Sequence, residues 1–590
     1  MRRGSLASTL AVLLSLALLP ALELPAFSQQ SSDMLAPEAG SGVQPKQAVH
    51  AKQQMVVAAN PVAAQAGLDV LRQGGSAADA LVAVQAVLGL VEPQSSGLGG
   101  GAFLTWYDAS ARSLTTFDAR ETAPAAATPL LFLGPDGKPL GFFDAVVGGR
   151  SVGVPGVPRL LEKVHRRYGK RPWQDLFGRA IELADSGFTV SPRLAKVIAE
   201  DVGRLDRQPA TRAYFFDADG APLKAGTLLV NKPYAETLRI VASIGASAFY
   251  KGRIAHDIVA VVNGHPTNPG RLSLADLAGY EVKQRPAICA PYRGYQVCGM
   301  GPPSSGALTI GQILGMVEPF DIATLGPDDP QAWRIIGDAS RLAFADRERY
   351  IADSDFVRVP SGLLDPAYLK ARSALIRRDT ALNKDEVIAG EPPWEKAELR
   401  RDVPALELPS TSHIVIIDAD GNIASMTTSV ENSFGSRLMV DGFLLNNQLT
   451  DFAFDPGPPD AAVANRVWPG KRPRSSMAPT IVLKDDKPVF ALGSPGGSMI
   501  IPFVATTLIA LIDWKMDMQA AVSLPHLVNR FGPYDIEAGT PAEAMVDDLT
   551  ALGYKTNVEE INSGLNGVAL TADGLVGGSD PRREGVAVGD

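Results

Sequence analysis

Thr411 is the residue whose surroundings most clearly point to chemistry, and it starts a run that reads TSHIVIIDADGN. A stretch of loop character, which contains Pro404, Pro409 and Ser410, ends immediately before it. A run typical of a β-strand begins on it. This boundary suits a nucleophile that becomes an N-terminus only when the chain cleaves itself. Cleavage between Ser410 and Thr411 would expose the catalytic group.

A threonine hydroxyl is a weak nucleophile and needs a neighbouring base. An N-terminal threonine carries its own base, because an α-amino group has a pKa of about 7.7–8.0 whereas a lysine side chain has one of about 10.4. The amine can therefore accept the hydroxyl proton directly or through one water molecule. The sequence has no HExxH motif among its six histidines, which fits a nucleophile of this kind.

Two glycine-rich runs accompany this residue. The run from Gly493 to Ser498 follows a predicted strand and precedes a predicted helix, so its backbone N–H groups could face an oxyanion as well as form a tight turn. The run from Ser95 to Ala102 matches the form of a dinucleotide fingerprint. However, a helix precedes it and strands follow it, which is the wrong context for nucleotide binding. We therefore expect the second run to allow a close approach between backbone segments.

The elements that must position these residues are predicted from periodicity and turn residues. Helices are predicted over Pro61–Gln73 and from Ser76 to Leu90, the latter with a capping box. Strands over residues 411–417 and 423–430 are joined by a DADGN turn. A further helix, predicted from Asp328 to Ile351, ends in the charged run from Asp346 to Arg349, which we interpret as a solvated face. Residues 380–410 are predicted to be a linker.

Motifs in chain order resemble those of the γ-glutamyltransferase family of N-terminal-nucleophile hydrolases, from about His50 to the C-terminus. They are SSGLGGG from Ser95, FDARE from Phe117, PPSSG from Pro302, TSH from Thr411, LNNQ from Leu445 with Asp451, KRPRSSM from Lys471 and GSPGG from Gly493. The resemblance implies an α+β fold, a four-layer αββα sandwich built from two autoprocessed fragments. These fragments would be a large subunit of residues 48–410 and a small subunit of residues 411–590. It also implies that there is no metal or organic cofactor.

The resemblance further implies a reaction and a set of site residues. Thr411 would take an acyl group from a γ-glutamyl compound such as glutathione and pass it to water, an amino acid or a peptide. The roles carried over by position are as follows: Ser429 would hydrogen-bond Thr411, Gly496 and Gly497 would form the oxyanion hole, Arg120 with Ser475 and Ser476 would bind the donor's α-carboxylate, and Gln448 with Asp451 would bind its α-ammonium group.

The chain departs from the family pattern at positions 429 and 431, where serine and glutamate replace threonine and asparagine. Ser429 keeps a hydroxyl group. Glu431 could pair with the donor's ammonium group, or it could repel an acyl chain that bears a carboxylate. The loop between Asp451 and Ser475 is also a few residues shorter than in members with a full lid, which favours water or bulky acceptors.

These departures leave a second hypothesis open, a glutaryl/cephalosporin acylase of the same superfamily. A third hypothesis, a catalytically inactive binding protein of the same fold, is disfavoured because Thr411, Arg120 and the glycine pair Gly496–Gly497 are intact.

The N-terminus has the pattern of a secretory signal peptide. Arg2 and Arg3 precede an apolar segment, Leu6 to Leu19, that is short for a membrane span, and small residues follow around Ala26. We expect residues 1–28 to be a signal peptide, residues 29–47 a disordered lead-in, and the protein to be exported to the periplasm or the extracellular space. An uncleaved membrane anchor is the alternative, and no later segment is predicted to span a membrane.

Composition limits the remaining classes of function. The 590-residue chain has a modest net charge of −9 and no basic block, so we do not expect it to bind nucleic acid.

Its two cysteines, Cys289 and Cys298, flank a predicted turn between strands. A hairpin disulfide and two separate thiols are both open.

Overall fold

The computed structural model describes residues 40–377, 379–394, 400 and 410–590. The predicted signal peptide and residues 29–39 of the predicted lead-in lie outside these ranges, as do residues 378, 395–399 and 401–409. The rest of the lead-in, residues 40–47, instead lies against the C-terminal segment. The backbone N–H of Gln44 donates to Pro581 O at 2.8 Å, and Lys46 Nζ donates to Asp580 O at 2.7 Å. These residues are therefore anchored by hydrogen bonds rather than disordered.

The described chain is an α+β structure. Its strands are β1 (Val49–Ala51), β2 (Met55–Ala58), β3 (Gly101–Asp108), β4 (Ser113–Ala119), β5 (Phe188–Thr189), β6 (Leu228–Leu229), β7 (Lys283–Arg285), β8 (Ile288–Tyr292), β9 (Tyr295–Gly299), β10 (Thr411–Ile417), β11 (Ile423–Ser429), β12 (Met439–Val440), β13 (Phe443–Leu444), β14 (Thr480–Lys484), β15 (Lys487–Gly493), β16 (Leu527–Asn529), β17 (Tyr534–Glu537), β18 (Thr556–Glu559), β19 (Asn566–Thr571), β20 (Gly574–Ser579) and β21 (Val586–Gly589). Its α-helices are α1 (Pro61–Arg72), α2 (Ala77–Val91), α3 (Phe142–Val146), α4 (Val157–Tyr168), α5 (Gly178–Ser186), α6 (Pro192–Glu200), α7 (Val202–Leu205), α8 (Pro209–Phe215), α9 (Lys232–Ile244), α10 (Ser247–Tyr250), α11 (Arg253–Asn263), α12 (Leu274–Ala278), α13 (Gly306–Val317), α14 (Ile322–Leu325), α15 (Pro330–Tyr350), α16 (Pro366–Ser373), α17 (Ile500–Ile512), α18 (Met518–Ser523) and α19 (Val546–Ala551).

Two seven-stranded antiparallel sheets form its centre. The first has the order β21-β2-β10-β11-β3-β4-β7 and the second has the order β1-β20-β19-β15-β14-β9-β8. Smaller sheets pair β12 with β13, β5 with β6, and β16 with β17 and β18.

Strand β10 is buried on both faces, which explains its continuous apolar run. Successive side chains of a strand point to opposite faces of its sheet. Ile414 and Ile416 pack in a cluster with the residues of α1 and α2, whereas Val415 and Ile417 pack against residues of the second sheet. The second sheet in turn shares an apolar cluster with α13, α15 and α17.

Helices α1 and α2 confirm the sequence prediction, including the capping box that Ser76 and Asp79 form at the start of α2. Among the described helices, none combines the length and the apolar composition that a membrane crossing needs. Cys289 and Cys298 lie directly opposite each other in the hairpin of β8 and β9 and form a disulfide.

The charged run from Asp346 to Arg349 is not the solvated face that the sequence suggested. Asp346, Arg347 and Glu348 are buried within α15. Their charges are compensated by neighbours that are distant in sequence, as burial of a charge requires. Tyr368 OH donates to Asp346 Oδ2 at 2.7 Å, and Arg474 Nη2 donates to Glu348 Oε2 at 2.7 Å. The pattern of this helix is therefore that of an element packed on all sides.

Candidate active site

The predicted nucleophile lies at the open end of the β10–β11 hairpin. Thr411 is the first residue of β10, Ser429 is the last residue of β11, and the register pairs the two directly. At the other end, the Asp418 carboxylate accepts hydrogen bonds from the backbone N–H groups of Asp420 and Asn422 at 3.1 and 2.9 Å. Such Asp-stabilised turns are common in hairpins. The hairpin therefore fixes the register that brings Thr411 to Ser429.

A chain of hydrogen bonds joins the nucleophile to the preceding carbonyl group. Thr411 Oγ1 donates to Ser429 Oγ at 3.1 Å, and Ser429 Oγ donates to Ser410 O at 2.7 Å. Ser429 Oγ also accepts the backbone N–H of Glu431 at 2.8 Å. A single hydroxyl group thus orients the Thr411 hydroxyl and polarises the carbonyl of the predicted scissile bond. Thr411 itself is buried, at 4% relative exposure.

Glu431 has an unusual backbone conformation two residues beyond Ser429. Its φ angle is +81°, in a region that costs a non-glycine residue on the order of 1–3 kcal/mol. Its carboxylate is buried and accepts a hydrogen bond from Asn447 Nδ2. The bond from its N–H group to Ser429 Oγ couples this strained residue to the nucleophile.

Arg120 follows β4 and is fully buried. Its Nη2 forms an ion pair with Asp451 and donates to Arg474 O at 2.8 Å, while its Nε donates to Pro473 O at 3.2 Å. Its Nη1 has no hydrogen-bond partner within the described structure. A buried donor without a partner is costly, so this guanidinium is suited to receive an anionic group.

Glu121 is a buried carboxylate next to Arg120, and nothing in the sequence distinguishes it from the other residues of its motif. Burial raises its pKa to about 8, against the opposing effect of the Arg120 charge. Arg120 Nη1 lies 3.9 Å from Glu121 Oε2. The Glu121 carboxylate occupies space next to Gly101 that is free only because glycine has no side chain. A Cβ atom at position 101 would lie 2.3 Å from Glu121 Oε2.

Ser475 and Ser476 are positioned by hydrogen bonds from two residues, Ser305 and Arg347, that are not among the site residues predicted from the sequence. Ser305 Oγ donates to Ser475 O at 2.8 Å, and Arg347 Nη2 donates to Ser476 Oγ at 2.8 Å. Arg347 Nε also donates to Ser305 Oγ at 2.9 Å. The PPSSG motif of the sequence and the buried end of α15 therefore position the two serines together.

The two glycine-rich runs lie on either side of the nucleophile, and the run before β3 allows the close backbone approach that the sequence predicts. A Cβ at Gly100 would lie 2.1 Å from Ser429 O, so a side chain there would push β3 away from the nucleophile. At the turn after β15, Gly496 and Gly497 have positive φ angles of 136° and 55°. Gly497 lines the cavity next to Thr411, whereas Gly496 lies against the ring of Phe503.

One small cavity of about 20 Å³ brings most of the predicted site residues together. It is lined by Arg120, Thr411, Ser429, Glu431, Gln448, Asp451, Ser475, Ser476, Met477, Gly497 and Ile500. Gln448 Nε2 donates to Asp451 Oδ2 at 3.2 Å, which links the two residues of this motif. A larger, mainly apolar cavity near the β8–β9 hairpin contains none of the predicted site residues.

No set of three or more His, Cys, Asp or Glu side chains is arranged for a metal ion within the described ranges. The chemistry that the cavity offers is that of a hydroxyl nucleophile, buried charges and backbone N–H groups.

Comparison with known proteins gives a consistent result. Residues 63–590 match the family model described as gamma-glutamyltranspeptidase. The chain is 37% identical over 557 residues to a glutathione hydrolase proenzyme of Bacillus subtilis strain 168, with 92% of each chain covered. It is 36% identical over 549 residues to a glutathione hydrolase proenzyme of Escherichia coli K12, with 90% and 91% covered. The crystal structure of cephalosporin acylase from Bacillus halodurans superposes with a TM-score of 0.80 at 26% identity, covering 94% of this chain and 99% of that one.

Proposed function

Because the chain belongs to the γ-glutamyltranspeptidase family, we propose that it is an autoproteolytic enzyme that hydrolyses or transfers γ-glutamyl groups through Thr411. The observation that carries this proposal is the hydrogen-bonded chain from Thr411 Oγ1 through Ser429 Oγ to Ser410 O. It places a hydroxyl nucleophile beside the carbonyl group that self-cleavage requires.

In the self-cleavage step, Thr411 Oγ1 attacks the carbonyl carbon of Ser410. The C–N bond breaks, an ester forms, and the hydroxyl proton passes to the released nitrogen, which becomes the α-amine of Thr411. Water then hydrolyses the ester, which leaves a carboxylate on Ser410 and restores the Thr411 hydroxyl. The donor hydrogen bond from Ser429 stabilises the negative charge that develops on Ser410 O.

In the mature enzyme the α-amine of Thr411 accepts the proton of its own hydroxyl. The oxygen attacks the γ-carbonyl carbon of the donor, the amide C–N bond breaks, and the amine departs with a proton. The resulting γ-glutamyl ester on Thr411 is released by water or by the amine of an amino acid or peptide, with glutathione as the type of donor. Gly496 and Gly497 supply N–H groups to the oxyanion, and Gly497 lines the cavity beside Thr411.

The donor's charged end is recognised by the opposite side of the cavity. Arg120 binds the α-carboxylate through Nη1, which has no hydrogen-bond partner among the described residues, with Ser475 and Ser476 beside it. A planar guanidinium is well suited to a carboxylate. The α-ammonium group faces the acidic and amide groups, which are Glu431, Gln448 and Asp451.

The architecture supports two associated fragments in a four-layer αββα sandwich. Apolar contacts join the two large sheets face to face, and helices pack on the first sheet and on the second. Residues 48–410 form the large subunit and residues 411–590 the small one. Strand β10 of the small subunit pairs with β2 of the large one, so the fragments remain associated after cleavage.

The N-terminal signal sequence directs the precursor out of the cytoplasm.

A cephalosporin or glutaryl acylase is the second candidate, and the similarity in fold to the Bacillus halodurans acylase favours it. The charges in the cavity favour the first. A glutaryl group has no α-ammonium group, so it would leave the Glu431 and Asp451 carboxylates without a cationic partner from the substrate. Buried carboxylates of this kind are better matched by a γ-glutamyl group.

Intact mass spectrometry of the purified protein tests the proposal. The wild type should give two fragments, of which the smaller begins at Thr411, and Thr411→Ala should remain a single chain. A mass for the large fragment that starts after residue 28 would establish removal of the signal peptide. A wild type that stays uncleaved would contradict self-processing. Higher kcat/KM for a glutaryl anilide than for a γ-glutamyl anilide would contradict the substrate class.

A further inference from the structure

We propose that a buried loop of the large subunit positions the scissile bond for self-cleavage. The loop comprises residues 92–96, follows α2, and is named the cradle here. The inference rests on the proposed function, because it concerns the bond between Ser410 and Thr411. It assigns a role to the buried ion pair of Glu92 and Arg193, which the reaction scheme does not otherwise use.

The cradle binds the residues on both sides of Thr411. Ser410 Oγ donates to Gln94 O at 2.5 Å. Ser412 Oγ donates to Glu92 Oε2 at 3.2 Å and accepts a hydrogen bond from Ser96 Oγ at 3.3 Å. All of these groups are buried. The two neighbours of the nucleophile are therefore fixed to one short loop.

Side-chain alternation explains why the cradle holds these neighbours and not Thr411 itself. Side chains at positions 412 and 414 share the face of β10 that points toward α2, where Ile414 packs. His413 points to the opposite face and reaches Gly493 of the second sheet. Thr411 shares that face, so its hydroxyl is left to contact Ser429.

The ion pair behind the cradle keeps Glu92 in place as an acceptor. Arg193 Nη1 lies 2.5 Å from Glu92 Oε1, and the two side chains are 0% and 1% exposed. Arg193 Nη2 also donates to Ser95 Oγ at 3.3 Å. A buried ion pair with additional hydrogen bonds is held in one geometry more strictly than an exposed pair.

The cradle also binds the segment that directly follows Ser429. The backbone N–H of Val430 donates to Ser95 O at 3.1 Å, and that of Phe434 donates to Gln94 O at 3.0 Å. The same loop thus sets the positions of the scissile carbonyl and of the hydroxyl that polarises it. Small displacements of reacting groups have large effects on rate, so Glu92, Arg193 and Ser412 act as positioning residues in self-cleavage.

The test follows the appearance of the two fragments during cell-free synthesis of the full chain. Ser412→Ala removes the hydrogen bond to Glu92 and keeps the ion pair, and it should slow cleavage about tenfold. Ser412→Thr keeps a hydroxyl and should restore a rate close to that of the wild type. Thr428→Val is the matched control, because Thr428 lies directly opposite Ser412 in β11 and its Oγ1 has no hydrogen-bond partner in the described region.

Fully processed Ser412→Ala should have a kcat/KM within about twofold of the wild type, because Glu92 and Ser96, which bond the Ser412 hydroxyl, do not line the cavity. If Ser412→Ala does not accumulate as a folded precursor, Glu92→Asp serves as the second variant. Aspartate keeps the negative charge, but its shorter side chain places the carboxylate farther from the Ser412 hydroxyl. Cleavage of both variants at the wild-type rate, or equal slowing by Thr428→Val, would overturn the inference. A wild type that fails to cleave would instead overturn the proposed function.

Discussion

The two sides of the cavity are built from different kinds of group. On the nucleophile side, Thr411, Ser429 and the Ser410 carbonyl form a neutral chain of hydrogen bonds. On the opposite side, Arg120 and Asp451 form a buried ion pair next to Glu121. The first arrangement positions single atoms for bond making, whereas the second provides charge for recognition. Changes on the first side should therefore act mainly on rate, and changes on the second mainly on substrate affinity.

The largest effect is expected for Ser429→Ala. The substitution removes the donor to Ser410 O and the acceptor for Thr411 Oγ1. Loss of one donor to a developing oxyanion lowers a rate on the order of 10²–10³-fold, so the precursor should persist in a time course on a denaturing gel. Ser429→Thr is the control and should cleave readily because it keeps the hydroxyl. Rapid cleavage of Ser429→Ala would show that the hydroxyl chain has no role in processing.

Arg120→Lys should have the next largest effect, and on KM rather than kcat. Lysine keeps the charge but lacks the planar fork that can bind Asp451 and a carboxylate at once. A lost hydrogen bond to a charged group predicts a rise in KM of about 30- to 100-fold for a γ-glutamyl anilide. Arg253→Lys, at an exposed arginine, is the control and should leave KM unchanged. A fall in kcat at constant KM would contradict the division between the two sides.

Glu431→Gln tests the point where the two sides meet. The residue joins the nucleophile through its N–H group and lines the recognition side through its carboxylate. Loss of its negative charge should lower kcat/KM about tenfold for a γ-glutamyl anilide. Turnover of a glutaryl anilide should not fall, because that substrate has no ammonium group. An equal loss for both substrates would show that Glu431 acts through the backbone and not through its charge.

The nucleophile side could be predicted largely from the sequence. The turn from Asp418 to Asn422 and the strand pattern fix the hairpin, and the hairpin register places Ser429 opposite Thr411. These features are local, so one segment of about 20 residues contains the information. The composition of the glycine run before β3 likewise predicts the close backbone approach that the structure has there.

The support of the recognition side could not be predicted in the same way. Arg347 and Glu348 look like a solvated helix face, because a single sequence does not show that Ser476 and Arg474 lie against them. The same holds for one support of the nucleophile side, because the paired residues Arg193 and Glu92 are 101 residues apart. Charged residues are usually exposed, and only the tertiary contacts reveal which of them are paired and buried.

The smallest effect on turnover is expected for Glu121→Gln, which should change the pH dependence of stability instead. Burial raises the pKa of Glu121 from 4.5 to about 8, so between these pH values the folded protein retains a proton that the unfolded chain releases. This contribution to stability is complete below pH 4.5 and is lost as the pH rises toward 8, with a slope of at most about 1.4 kcal/mol per pH unit. Glutamine cannot titrate, so the difference between the unfolding free energies at pH 5 and pH 7.5 should become smaller in the variant.

Urea titrations at the two pH values measure these free energies of unfolding, with Glu543→Gln at an exposed position as the control. An unchanged pH dependence would mean that Glu121 is already ionised at pH 5, and that both Glu121 and Asp451 carry a negative charge next to the guanidinium of Arg120.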